Sequence, residues 1–179
     1  MVLIIVLIII FLVYTLPFKT FKDTTEENTL WGMNDPDNIY LTFDDGPNPE
    51  VTPFLLDELK KSGNKATFFI IPEYIPTNEE IVRRVYNEGH TIGLHGKSRF
   101  LASNSKDYLA EYIASFERNM SKILNESFRT KYFRPPSGWR SQQLYDVLKE
   151  KNIILIGWSE FCWLDSYISS QTAVKNRFE

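Results

Sequence analysis

An α/β fold with a mainly parallel sheet is predicted by two features of this 179-residue sequence. Short β-branched and aromatic runs alternate with amphipathic stretches of helical length, and three of those runs stop abruptly at Asp, His or Arg. In sheets with helical connections the carboxyl edge of the strands is where ligands bind, so these polar endings mark one edge as a site. About 140 residues remain once an apolar leader and a polar linker are set aside, which suffices for one domain and one core.

Met1 to Leu16 is almost wholly Val, Leu, Ile and Phe. Extended to Phe18 it makes a helix of roughly 27 Å, enough to cross a bilayer core. With no alanine before Ala66 for a processing site, residues 1–18 are expected to be an uncleaved anchor or signal. Lys19 and Lys22 follow the run, and by charge alone would hold the next domain in the cytoplasm. Residues 19–38 read as a polar tether onto which Trp31 can dock, and residues 39–179 as the domain.

Ile39 to Phe43 predicts a short buried strand, ended by Asp44-Asp45-Gly46-Pro47. Taken alone, Asp-Gly here is ordinary turn chemistry. Pro53, Leu55, Leu56, Leu59 and the stop at Gly63 outline a helix; Ala66 to Ile71 reads as a buried strand. Thr77 with Glu80 suggests a capping box ahead of Ile81, Val82 and Val85, with Gly89 ending that helix. Thr91 to Leu94 is a strand leading into His95. Ser105 to Leu124 is the longest helix, its apolar stripe running from Leu109 to Leu124. A strand near Lys131 to Phe133 enters Arg134-Pro135-Pro136-Ser137-Gly138-Trp139, Ser141 caps the next helix, and Ile153 to Ile156 is a strand before Trp158. Ser169 to Glu179 looks helical.

A formal net charge of −3 and a pI near 5.5 give no basic footprint, so nucleic acid is not an expected partner. Aromatic residues make up 15% of the chain; some must be core, but Trp139, Trp158 and Trp163 lie close to the later motifs, and aromatic faces suit sugar rings as well as packing. Cys162 is the single cysteine, so no intrachain disulfide can form.

Three motifs share the strand-end position: Thr42-Phe43-Asp44-Asp45-Gly46-Pro47, Gly89-His90-Thr91-Ile92-Gly93-Leu94-His95, and Phe133-Arg134-Pro135-Pro136-Ser137-Gly138. In this order and separation they resemble the NodB-homology polysaccharide deacetylases, carbohydrate esterase family 4, over about Asn38 to Asp165. The resemblance implies a distorted (β/α) barrel, here lacking its closing strands. It also implies a metal-dependent hydrolase that removes N-acetyl groups from an amino-sugar polymer such as peptidoglycan, on a membrane-anchored domain expected outside the cell. An amide resists water at neutral pH, and a divalent metal, usually zinc, supplies the missing polarisation. By resemblance Asp45 and His95 would ligate the metal, Asp44 would be the catalytic base, and Arg134 would pair with Asp44. Pro135, Pro136, Gly138 and Trp139 would shape a substrate groove. His90 would be structural.

The departures from the family pattern bear on activity. Arg99 occupies the position of the second ligating histidine, and a guanidinium has no lone pair to give. At about 4 Å a dication would repel it by on the order of 8 kcal/mol at an effective dielectric of 20. Either Arg99 swings out and Asp45, His95 and water hold the metal weakly, or Arg99 replaces the metal by pairing with Asp45. The tryptophan-aspartate motif is matched loosely by Trp158-Ser159-Glu160 and Trp163-Leu164-Asp165. A later leucine-histidine pair has no counterpart, as expected of a truncated domain. The alternative expectation is therefore a membrane-tethered, catalytically impaired glycan-binding relative.

Overall fold

The computed structural model describes residues 28–32 and 37–158. The expected anchor, the Ser159-Glu160 and Trp163-Leu164-Asp165 segments, Cys162 and the last predicted helix lie outside the described residues. Among the described residues no helix is long and apolar enough to cross a membrane.

Six strands form one sheet: β1 (Thr29–Leu30), β2 (Thr42–Gly46), β3 (Thr67–Ile70), β4 (Thr91–His95), β5 (Tyr132–Arg134) and β6 (Ile154–Ile156). Their spatial order is β1-β6-β5-β4-β3-β2, and every described pairing is parallel. Helices α1 (Val51–Ser62), α2 (Glu79–Asn87), α3 (Lys106–Leu124) and α4 (Gln142–Glu150) connect β2 through β6. Each crossover returns the chain to the same starting edge, so the carboxyl ends of β2 to β6 gather at the other.

Two features of the chain differ from what the sequence predicts. Thr29 and Leu30, inside the expected tether, pair with Leu155 and Ile156. Trp31 then packs so closely on Gly157 that a Cβ there would lie 2.2 Å from the indole. The strand placed at Ile39 to Phe43 begins instead at Thr42, leaving Ile39 89% exposed and Tyr40 and Leu41 exposed with it. Among the described residues β2 pairs with β3 alone, and that register starts at Thr42 opposite Thr67. An edge strand has no second neighbour to bury its lead-in.

The helix limits follow local chemistry. Asn48 Oδ1 accepts from the backbone N–H groups of Glu50 and Val51 at 2.9 and 3.0 Å, ahead of α1. Gly63, at φ 70°, closes that helix. Ser105 and Ser141 accept from Tyr108 N and Leu144 N at 3.3 and 3.1 Å. The expected capping box at Thr77 and Glu80 does not form. Thr77 instead ends a 3-10 helix, Pro72–Thr77, and α2 starts after Asn78 without a side-chain cap.

One face of the sheet holds the core. Phe68, Ile70, Ile92, Leu94, Phe133 and Leu155 meet Leu56, Val82, Ile113, Phe116, Met120 and Leu148 from the helices. The intervening strand positions take the other face. There the register sets Phe69 beside Gly93 and His95 beside Arg134.

That second face is concave. Arg134 on β5 reaches Thr42 and Asp44 on β2, three strands away. A flat sheet would set those strands about 14 Å apart at ~4.8 Å per step, roughly twice the reach of an arginine side chain. The sheet therefore curls as a barrel wall does. Gly93 permits this close layering, because a Cβ there would sit 2.6 Å from the ring of buried Phe69 and 3.3 Å from the Tyr132 carbonyl. Gly93→Ala is expected to destabilise the fold by about 1–3 kcal/mol, read as a lower urea midpoint at unchanged slope.

Candidate active site

Neighbouring residues of a regular strand point to opposite faces, yet Asp44 and Asp45 both find partners on the concave one. An irregularity makes this possible. The β2–β3 register shifts between Phe43 and Gly46, and Asp45 adopts φ 62°. Aspartate tolerates that left-handed conformation better than most residues, and the bulge re-aims its side chain.

Asp44 belongs to Arg134. Arg134 Nη1 donates to Asp44 Oδ1 at 2.8 Å and to Thr42 Oγ1 at 2.7 Å, while Nη2 donates to the Gly157 carbonyl at 2.7 Å. The guanidinium carbon lies 4.2 Å from the ring centre of Phe69, and the residue is 3% exposed. Burial pulls its pKa below the ordinary arginine value, with the Asp44 carboxylate opposing. An arginine remains charged through such a shift, so Asp44 sits beside a fixed cation.

Asp45 belongs to His95. Their Oδ1 and Nε2 atoms are 3.4 Å apart. On the far side of the ring His95 Nδ1 lies 2.6 Å from the Arg134 carbonyl. A carbonyl can only accept, so Nδ1 carries the proton and Nε2 is turned towards Asp45. Hydrogen bonding to His95 holds the Asp45 carboxyl below the usual carboxylate range, against the opposing effect of burial. A depressed carboxylate stabilises the fold above its unfolded value of about 3.9, and this is lost as pH falls through its folded value. The contribution here is small, because the side chain is 79% exposed and water screens it.

The other candidate residues surround this quartet. Pro136–Gly138 forms a 3-10 turn in which Ser137 and Gly138 have φ of 51° and 71°. Pro135 and Gly138 are buried, leaving Pro136 and Trp139 as the half-exposed wall. Arg99 is exposed, its guanidinium carbon 5.2 Å from the Phe100 ring centre and 6.0 Å from that of Trp139. Among the described residues it forms no ion pair, with Asp45 or any other carboxylate. Trp158 lies over the guanidinium of Arg134 at 5.7 Å.

His90 sits at the opposite, amino end of β4, where its Nδ1 accepts from Ala66 N–H at 3.2 Å. Burial lowers its pKa, and it does not touch the quartet.

Three contributors escape sequence reasoning: Thr42, Phe69 and Tyr112. Thr42 is two residues from Asp44, and Phe69 is paired with Gly93, so strand parity would have placed both on this face. Tyr112 Oη donates to Glu73 Oε2 at 3.1 Å, with the His95 carbonyl 3.4 Å away. Burial pushes its phenol well above the ordinary value, and Glu73 adds to this. It lies on the helical stripe that the sequence assigns to the core.

Asp45 and His95 suit a divalent ion. Two donors about 2.1 Å from a tetrahedral zinc stand roughly 3.4 Å from each other, close to the separation observed. The Nδ1 hydrogen bond is the outer support such a ligand requires. No cluster of three or more His, Cys, Asp or Glu residues fit to hold a metal occurs among the described residues. The pair would therefore hold an ion with water completing its coordination.

The matches to known proteins cover the same region. A sequence profile of the polysaccharide deacetylase family matches residues 32–155. A peptidoglycan-N-acetylglucosamine deacetylase of Bacillus cereus is 37% identical over 122 residues, which is 68% of this chain and 44% of that protein. The crystal structure of a peptidoglycan N-acetylglucosamine deacetylase superposes with a TM-score of 0.65 at 35% identity, over 73% of this chain and 61% of the other. A family 4 acetyl xylan esterase from Clostridium thermocellum, in complex with a cobalt ion, gives a TM-score of 0.59 at 33% identity, over 66% and 56% of the two chains. The chain thus spans about half the length of the relatives it matches. With a profile match that runs from residue 32 to 155, across β2 to β5 and into β6, and more than a third of the aligned residues shared with a deacetylase of this type, the chain belongs to the polysaccharide deacetylase family.

Proposed function

We propose that this chain hydrolyses the N-acetyl group of an amino-sugar polymer of the cell envelope, peptidoglycan or a related glycan. The observation that carries this reading is the division of labour between adjacent carboxylates: Asp44 bound to a buried arginine, Asp45 facing an imidazole nitrogen. Asp45 and His95 would hold a divalent ion, most simply zinc. When bound, such an ion polarises an amide carbonyl and brings the pKa of water towards ~7.

The chain's own residues do the rest. Asp44 takes a proton from the attacking water through whichever oxygen Arg134 leaves open, since only Oδ1 is engaged by that arginine. Arg134 fixes the carboxylate in place. His95 is oriented by the Arg134 carbonyl, so one residue positions both the base and a ligand. Pro136 and Trp139 line the approach, the indole offering a face to a sugar ring.

A second reading, a tethered glycan-binding relative without catalysis, rests on Arg99 in place of a ligating residue. Acetate release separates the two. Zinc-loaded protein on N-acetylated chitooligosaccharide or peptidoglycan is expected to release acetate, and Asp44→Asn to lower the rate by about 10²–10⁴-fold, at some cost in stability because the buried Arg134 cation loses its counter-charge. No release at any metal loading would leave only the binding reading. The apolar run of residues 1–18 supports tethering to a membrane, with the domain facing the glycan; fractionation and protease accessibility of intact cells test both points.

A further inference from the structure

The loop that follows His95 presents two cations to solvent, and both rest on aromatic rings. Lys97 Nζ lies 5.6 Å from the ring centre of Tyr74, and the Arg99 guanidinium covers Phe100 at 5.2 Å and Trp139 at 6.0 Å. Neither forms an ion pair among the described residues, as is also true of Lys60, Lys65, Lys122, Lys131 and Lys151; what sets these two apart is their place on the loop after His95. Glu73, beside Tyr74, is taken by the Tyr112 hydroxyl. Arg99 is thus an exposed cation held on aromatic rings, on a chain of net charge −3.

Their position is fixed relative to the reacting groups. Gly96 packs where a Cβ would lie 2.6 Å from Leu101 Cδ2 and 3.1 Å from Pro136 Cγ. The Arg99 loop is therefore seated on the turn that carries Trp139, and that turn follows directly on Arg134. Phe100 and Trp139 stand 6.3 Å apart at 59°, an open angle between two half-exposed or exposed rings.

A ring platform with a guanidinium laid on it matches a sugar that carries an anion. The rings stack on the apolar face of the pyranose, and the planar fork of arginine binds a carboxylate through two parallel hydrogen bonds. A neutral N-acetylglucosamine chain offers the guanidinium hydroxyl and carbonyl acceptors but no opposite charge. We propose that Arg99, with Phe100 and Trp139, is a carboxylate-reading subsite, and that the substrate is an acidic glycan bearing carboxylates on its sugars, such as the lactyl ether of muramic acid, in preference to a neutral chitin-like chain. This refines the deacetylase reading and rests on it for the identity of the polymer.

The test uses the full chain in buffer containing chelator, so that no metal effect intrudes. Binding is measured for a tetrasaccharide of alternating N-acetylglucosamine and N-acetylmuramic acid, for its carboxyl methyl ester, and for chitotetraose. The acid is expected to bind about tenfold more tightly than its ester, with the difference shrinking as salt rises. Arg99→Gln should remove that tenfold preference while moving chitotetraose affinity less than about twofold. Equal binding of acid and ester, equal loss of all three ligands in Arg99→Gln, or no binding of any of them would overturn the subsite. Acetate release is scored separately on the same oligosaccharides with zinc. Charge discrimination without turnover would keep the subsite and reject the deacetylase reading; turnover without discrimination would do the reverse.

Discussion

Arg134→Ala is expected to lower the melting temperature by roughly 10 °C and to abolish acetate release. The side chain is 3% exposed and ties β5 to β2 through Thr42 and Asp44, and to the segment after β6 through Gly157. Its removal leaves the Gly157 carbonyl, the Thr42 hydroxyl and the Asp44 carboxylate without their donor, and empties the space over Phe69. Breaking a buried charged network from one side costs about 3–5 kcal/mol, which in a chain of this size is several degrees per kcal/mol. Arg134→Lys separates charge from geometry. It keeps the cation but has a single point of donation, so it should recover less than half of the lost stability and little of the activity. A melting temperature within about 2 °C of the parent for Arg134→Ala would show that the curl of the sheet does not depend on this residue.

Arg99→His is expected to tighten zinc binding by about a hundredfold. The variant adds a third nitrogen or oxygen donor four residues after His95 and removes a cation that a dication repels. The parent's guanidinium already lies over Phe100 and Trp139, so the gain comes mainly from the new ligand rather than from relief of repulsion. Binding of zinc should weaken as pH falls, because protons compete with the metal for the ligating atoms. Competitive titration against a chromophoric chelator at two pH values reads both effects. Equal affinity of parent and variant would mean that the loop holds residue 99 too far from Asp45 to contribute.

The parallel α/β order was legible in the residues themselves, because the apolar runs are short and the helical stripes between them, as at Leu109 to Leu124, are long and regular. The chemistry was legible for a related reason: His95 and Arg134 end their strands, Asp44 lies within β2 near its carboxyl end, and parallel crossovers bring those ends to one edge. What the local pattern could not show were facts of pairing. Ile39, Tyr40 and Leu41 have the composition of a buried strand, yet burial needs neighbours on both sides, and β2 has only β3 among the described residues. Thr29 and Leu30 sit isolated in a polar stretch until β6 pairs with them, and only the fold brings residues so distant in sequence together. Tyr112 was legible as core and not as a partner of Glu73, since a phenol on an apolar stripe reads the same either way. The bulge at Asp45 has a sequence signal in Asp-Gly-Pro, but that signal equally fits a plain turn; the register shift is what turns two adjacent carboxylates onto one face.

The most direct measurement is a calorimetric zinc titration of the parent protein, repeated on His95→Ala. The account predicts that the parent takes up a single ion, more weakly than Arg99→His does, and that His95→Ala abolishes the uptake while the protein stays folded. A parent that binds no zinc at millimolar concentrations, or binds it equally well without His95, would contradict a metal site built on Asp45 and His95.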